Sequence, residues 1–121
     1  MLTKTTLLTL YDTGELRWDD EGVPAEVEPW LYLLQEVAPW MEAHPERVDF
    51  NCVSHKTQCG TFRCLLGHYQ WMRHGKDSYG GSGDFGYRPI STESAIFGET
   101  RHGTLAERRE RIDRKVREML A

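Results

Sequence analysis

Apolar residues along this chain fall in short bursts divided by turn-forming residues, and the spacing inside each burst predicts its structure. In TLLTLYDTGELRW, residues 6–18, two apolar runs flank Asp12-Thr13-Gly14-Glu15. Gly14 can supply the positive φ of a tight turn, so residues 1–22 are expected to form a short β-hairpin and an acidic loop. From Pro24 the period changes. Trp30, Leu33, Leu34, Val37 and Met41 recur at steps of three and four, the mark of one helical face, with Pro29 suited to a first helical position. Pro39 is expected to end or kink that helix, and Pro45 to hold His44 out of helical conformation.

A further helix is expected from about Phe62 to Arg73, entered through Gly60 and capped by Thr61. Its apolar arc would be Phe62, Leu65, Leu66, Tyr69 and Met72, with Cys64 and His68 beside it and Arg63 and Gln70 facing solvent. Residues 77–90 read as a Gly-rich, aromatic-bearing loop, and STESAIF as a short capped helix. The last helix is signalled most fully. Thr104 and Glu107 have capping-box spacing, and Leu105, Ile112, Val116, Met119 and Leu120 give a buried stripe.

These elements predict an α+β fold: a mostly helical single domain over residues 1–121 with a short N-terminal β-hairpin. The parts are hairpin and acidic loop (1–22), helices bearing the Cys/His segment (23–76), Gly-rich loop (77–90) and C-terminal helices (91–121). A length of 121 residues fits one domain, and 39% hydrophobic content with four Trp, five Tyr and four Phe supplies enough large side chains to bury a core. No apolar run nears the roughly 18 residues needed to span a bilayer. MLTKTTLLTLYDTG has one early charge and no small-residue cleavage site, so a cytoplasmic protein is expected.

Charge changes the picture more than composition does. Residues 1–50 carry eleven Asp and Glu against three Lys and Arg, and residues 51–121 carry eight against twelve, so a net −4 divides into −8 and +4. The acidic excess concentrates around Asp12, Glu15, Asp19, Asp20 and Glu21, a candidate contact for a basic partner. The basic excess concentrates in AERRERIDRKVREML, but Glu107, Glu110, Asp113 and Glu118 interleave it and permit ion pairs at helical spacing, which argues against nucleic-acid binding.

All three cysteines and two of the five histidines lie between Cys52 and His68. Zinc takes four ligands in a tetrahedron, and Cys52, His55, Cys59, Cys64 and His68 are the candidates, with Cys64 and His68 one helical turn apart. The two ligand pairs lie closer together than in familiar zinc modules. The alternatives are a Cys59–Cys64 disulfide or redox pair and packed thiols, the last being preferred because Cys64 borders the apolar arc. Cys59 ahead of a helix start is also a candidate nucleophile with His55 or His68 as base, but no orienting third residue can be assigned. Gly81 to Gly86 satisfies G-x-G-x-x-G without the strand and helix that a nucleotide site requires, and reads as a loop.

FNCVSHKTQCGTFRCLLGHYQWM, with SAIFGETRHGTLAERRERID, resembles a group of small uncharacterised bacterial and phage proteins. Their pattern runs close to F-x-M-x-x-W, then C-G-T-x-x-C-x-x-G-H or G-W, and later L-F with a T-x-x-E-x-x-x-R-I terminal helix. The matching positions are Phe50, Cys59, Gly60, Thr61, Cys64, Gly67, His68, Phe97, Thr104, Arg111 and Ile112. Cys52 stands where the pattern prefers Met and His55 where it prefers Trp. The resemblance implies a compact, mostly helical unit in which Cys59 to Cys64 starts a helix. It implies no established activity; with the lack of catalytic geometry, the charge layout and the resemblance to accessory proteins taken together, the leading expectation is a non-enzymatic binding protein without cofactor. It would be phage-encoded or accessory, and would inhibit or modulate a host protein in the host cytoplasm. A zinc-binding module and a small cysteine-dependent enzyme are the alternatives.

Overall fold

The computed structural model describes residues 3–48, 55–57, 60–62, 65–75 and 103–121. The chain starts with a helix where a hairpin was expected. Helix α1 (Lys4–Thr13) begins at Thr3, whose hydroxyl accepts the Thr6 N–H at 3.2 Å. It ends at Gly14, φ 80°, where Glu15 N–H donates to the Leu10 carbonyl at 2.9 Å and Gly14 N–H to Tyr11 at 3.1 Å. That pair of bonds is the Schellman ending of a helix, for which a positive-φ glycine is as well suited as it is for a hairpin turn. Leu7 is buried, with Leu8, Leu10 and Tyr11 half-buried beside it, a spacing that suits a helix face.

Helix α2 (Glu28–Tyr32), a π-helical turn (Leu33–Val37) and α3 (Ala38–Ala43) form one continuous rod. Pro39 was expected to end or kink this helix; the helix does not end there, and the irregularity takes the form of the π turn just ahead of it. Ahead of it the Ala38 N–H reaches back five residues to the Leu33 carbonyl, and this wider turn lets the helix resume around a residue that lacks a donor. The predicted face holds: Trp30, Leu33, Val37 and Met41 are buried and Leu34 half-buried, while Leu31, Tyr32 and Ala38 are buried as well. Pro45 acts as expected, since α3 ends at Ala43 and residues Pro45–Arg47 form a single 3-10 turn.

Strands β1 (His55–Thr57) and β2 (Gly60–Phe62) pair antiparallel with Lys56 opposite Thr61. Three residues a side do not make a sheet layer, so the expected α+β fold with an N-terminal hairpin is corrected to a mostly helical domain. Thr61 lies in β2, and α4 (Leu65–Tyr69) starts later than the Phe62 expected for it. Leu65 and Tyr69 are buried as predicted, but Gln70 is buried too, not turned to solvent. A second π turn (Gln70–His74) follows α4, with Gln70 buried at its start and Trp71, next to it, a large apolar side chain left exposed.

Helix α5 (Leu105–Leu120) follows the sequence pattern closely. Thr104 Oγ1 accepts the Glu107 N–H at 3.2 Å, and Glu107 Oε1 accepts the Thr104 N–H at 3.2 Å, completing the capping box. Ile112, Val116 and Leu120 are buried against the rod, with Leu105 and Met119 half-buried. α5 touches α1, α2, the first π turn and α3, while α4 meets the rod at that π turn. The expected Gly-rich loop and the STESAIF helix lie outside the described residues. No helix among the described residues is long and apolar enough to cross a membrane.

Candidate functional site

Residues 14–23 leave α1 and run against α2 and the first π turn. Leu16 is buried and pins the segment to the core. The Gln35 side chain then holds its backbone from both sides: Nε2 donates to the Leu16 carbonyl at 2.6 Å, and Oε1 accepts the Trp18 N–H at 2.8 Å. One amide thus satisfies two backbone groups that would otherwise need a strand partner or water. Glu36, the next residue, accepts from Trp18 Nε1 at 3.2 Å and from Arg17 at 2.8 Å. The π turn supplies both side chains, a placement that helical periodicity in the sequence does not reveal.

The five acidic candidates divide into two groups. Asp12 lies on α1 and pairs with Arg117 of α5, so it ties helices together. Asp20 closes a turn, its carboxylate accepting the Arg17 N–H at 2.8 Å while its own N–H donates to the Arg17 carbonyl at 3.1 Å. Glu15, Asp19 and Glu21 remain exposed on the clamped segment. The acidic display is therefore narrower than the sequence suggested, and its backbone is held.

Beside this loop, Trp18, Tyr32 and Tyr69 form three walls of a box. Trp18 meets Tyr32 edge-on at 4.8 Å between centroids, and Tyr32 meets Tyr69 likewise at 5.5 Å. The Arg73 guanidinium carbon lies 5.3 Å from the Trp18 and Tyr32 centroids and 5.8 Å from that of Tyr69. Arg73 also donates to Tyr69 Oη at 3.0 Å and pairs with Glu28. Burial first, and the Glu36 charge second, hold the Tyr32 phenol above the ordinary tyrosine range. Sequence reading missed Gln35, Trp18, Tyr32 and Arg73 as a unit because they come from four separate segments and match no short motif.

The opposite side of the loop borders an open groove of about 630 Å³ between α1, the first π turn, α3 and α5. Its arginines face carboxylates: Arg17 meets Glu36, Arg109 meets Glu42, and Arg117 meets Asp12 and Asp113. Tyr11 donates to Asp113 here, and burial, then that bond, push its phenol well above the ordinary value. The basic helix is in part internal as well, since Arg108 is fully buried and its Nε donates to the Gly103 carbonyl at 3.0 Å.

Of the metal candidates, Cys52, Cys59 and Cys64 lie outside the described residues, and His55 is placed only as backbone of β1. His68 is fully buried on α4, its ring 5.1 Å from Trp40 and 6.4 Å from Trp71. Among the described residues no group of three or more His, Cys, Asp or Glu converges on a point that could hold a metal ion.

The fold and site define a class: a small helical domain that carries an acidic loop fixed by side-chain hydrogen bonds. Comparison with protein-family models, with curated proteins and with solved structures finds no match to the chain.

Proposed function

We propose that this chain is a non-enzymatic protein-binding module, an accessory inhibitor or modulator that presents Glu15, Asp19 and Glu21 to a basic surface of a host protein. The observation that carries this reading is the Gln35 clamp. A surface loop whose backbone is already held loses little conformational freedom on binding, so more of the contact energy appears as affinity. Exposed carboxylates on such a loop steer a basic partner and set its orientation. The paired arginines of α5 and of the groove favour this face over a phosphate-binding one. A phage or accessory origin and action in the host cytoplasm belong to the same proposal.

The test replaces Glu15 and Glu21 by Gln and Asp19 by Asn, leaving Asp20 because it closes the turn. With a partner recovered from the native host on immobilised protein, the triple variant should associate several-fold more slowly and with a flatter salt dependence, at unchanged thermal stability. Association kinetics equal to the parent's across ionic strength would remove the loop from the interface.

A further inference from the structure

We propose that the Trp18–Tyr32–Tyr69 box is a cation-recognition site for an arginine side chain of the basic partner, held in this structure by the chain's own Arg73 as an internal stand-in. The geometry is that of an aromatic cage. Two edge-on ring pairs set the walls nearly perpendicular, at 79° and 88°, and the guanidinium lies within about 6 Å of all three ring centres, where ring quadrupoles attract a cation. Glu28 supplies the countercharge and Tyr69 Oη an acceptor at 3.0 Å, the polar contacts that a planar guanidinium uses and a compact ammonium uses less well.

Two further features point to exchange of the occupant. The box is covered on most sides but not sealed: Tyr32 and Tyr69 are buried, while the Arg73 side chain keeps 21% of its exposure and that of Glu28 35%, so one side of the occupant meets solvent. Arg73 also sits in the last turn of its helix, two residues before Gly75, whose φ of 69° ends it. Rotation of the side chain out of the box releases its bond to Tyr69 Oη and its pair with Glu28, the two contacts that an incoming guanidinium would take up in turn. One wall, Trp18, belongs to the clamped acidic loop, so a partner drawn in by Glu15, Asp19 and Glu21 arrives with its basic side chains next to the box. The inference rests on the proposed function only in naming a partner protein as the owner of the incoming arginine; the recognition of guanidinium stands apart from it.

The experiment vacates the box with Arg73→Ala and refills it with ethylguanidinium, which restores the missing atoms. Binding should be saturable in the millimolar range and should raise the thermal midpoint of the variant but not of the parent, because a ligand of the folded state stabilises it by mass action. Ethylammonium or sodium chloride at equal ionic strength should not reproduce the effect, and adding Tyr32→Leu should abolish it. If Arg73→Ala does not fold alone, refolding yield with each salt is the readout, and guanidinium-specific recovery supports the site.

A second arm uses a short peptide with one arginine among lysines, and its twin with lysine there. Arg73→Ala should bind the arginine peptide at least several-fold more tightly than the parent does, with a smaller gain for the twin, since a competitor has been removed; a purely structural Arg73 would give weaker binding. Equal response to all salts, or weaker binding of the arginine peptide by a folded Arg73→Ala, would overturn the proposal. Loss of the acidic loop's role in partner association, with ethylguanidinium binding intact, would sink the proposed function and leave the box standing.

Discussion

Arg73 and Arg117 make contacts of the same kind in different settings. Each stacks on tyrosine and pairs with carboxylate: Arg117 lies 5.1 Å from the Tyr11 centroid and meets Asp12 and Asp113, while Arg73 lies within three rings and meets Glu28. The difference is solvent. The Arg117 side chain is 46% exposed and Arg73 21%. In water an ion pair gains little beyond what hydration already gave, and holding two side chains together costs entropy, so exposed pairs contribute about 0–1 kcal/mol. Enclosed by rings, the same guanidinium is attracted by several quadrupoles with less screening, and one such contact alone reaches about 2 kcal/mol when desolvated. Counting ion pairs would rate the α1–α5 seam as the stronger junction; burial ranks the box first.

The largest expected effect follows directly. Arg73→Ala should lower stability by about 2–3 kcal/mol, through lost ring contacts and a Glu28 carboxylate left without its partner. Urea denaturation at neutral pH measures it. A loss below about 0.5 kcal/mol would place Arg73 with the exposed pairs and erase the contrast with Arg117.

The clamp comes next. Gln35→Ala removes the acceptor for the Trp18 N–H and the donor for the Leu16 carbonyl, both at partly buried positions, for an expected cost of about 1–3 kcal/mol. Amide hydrogen exchange across residues 15–20 should quicken more than exchange in α5, because the loop loses its local support. Protection unchanged in that segment would mean that Leu16 burial alone holds the loop.

The same contrast explains what was legible in the sequence. α5 could be read in advance because its signals are local: Thr104 and Glu107 stand three apart, and the stripe from Leu105 to Leu120 keeps one period. The rod's apolar face was readable for the same reason. The N-terminal segment was not, since TLLTLY is too short for periodicity to separate strand from helix, and Gly14 suits either a hairpin or a helix ending. Gln70 was misplaced, and neither π turn could be seen in advance, since an added residue leaves no composition mark. The acidic loop was located, but its division into exposed Glu15, Asp19 and Glu21 and engaged Asp12 and Asp20 depends on partners up to 105 residues away. The aromatic box unites residues 18, 32, 69 and 73, which no sequence window brings together.

A smaller effect is expected at the start of α5. Thr104→Ala removes the hydroxyl that accepts the Glu107 N–H and should cost roughly 0.5–2 kcal/mol by thermal or urea unfolding. The Thr104 backbone amide first, and its hydroxyl second, hold the Glu107 carboxyl below its ordinary value. A carboxyl depressed in the folded state contributes stability above its ordinary pKa and loses it as pH falls through the depressed one. The parent should therefore lose this part below about pH 4.5, and the Thr104→Ala protein should show a shallower acid-side decline. Parallel acid profiles would place the capping interaction elsewhere.

The smallest effect belongs to the seam and completes the comparison. Arg117→Ala should cost less than any of the other substitutions despite removing contacts to two carboxylates and a ring, and that cost should shrink further in high salt. A double-mutant cycle with Asp12→Ala isolates the pair, and a coupling indistinguishable from zero is expected for charges this exposed. Tyr11 beneath it should behave differently, because burial and its bond to Asp113 raise its phenol while the Arg117 charge opposes the rise. Removing Arg117 should therefore make Tyr11 ionise no earlier than in the parent, as read by phenolate absorbance in alkaline titration. The sign for stability follows: a phenol raised in the folded state contributes fully below about pH 10, the ordinary tyrosine value, and loses that contribution as pH climbs beyond it. A coupling between Asp12 and Arg117 as large as the loss from Arg73→Ala would show that the seam screens its charges no more than the box does, and burial would no longer separate the two arginines.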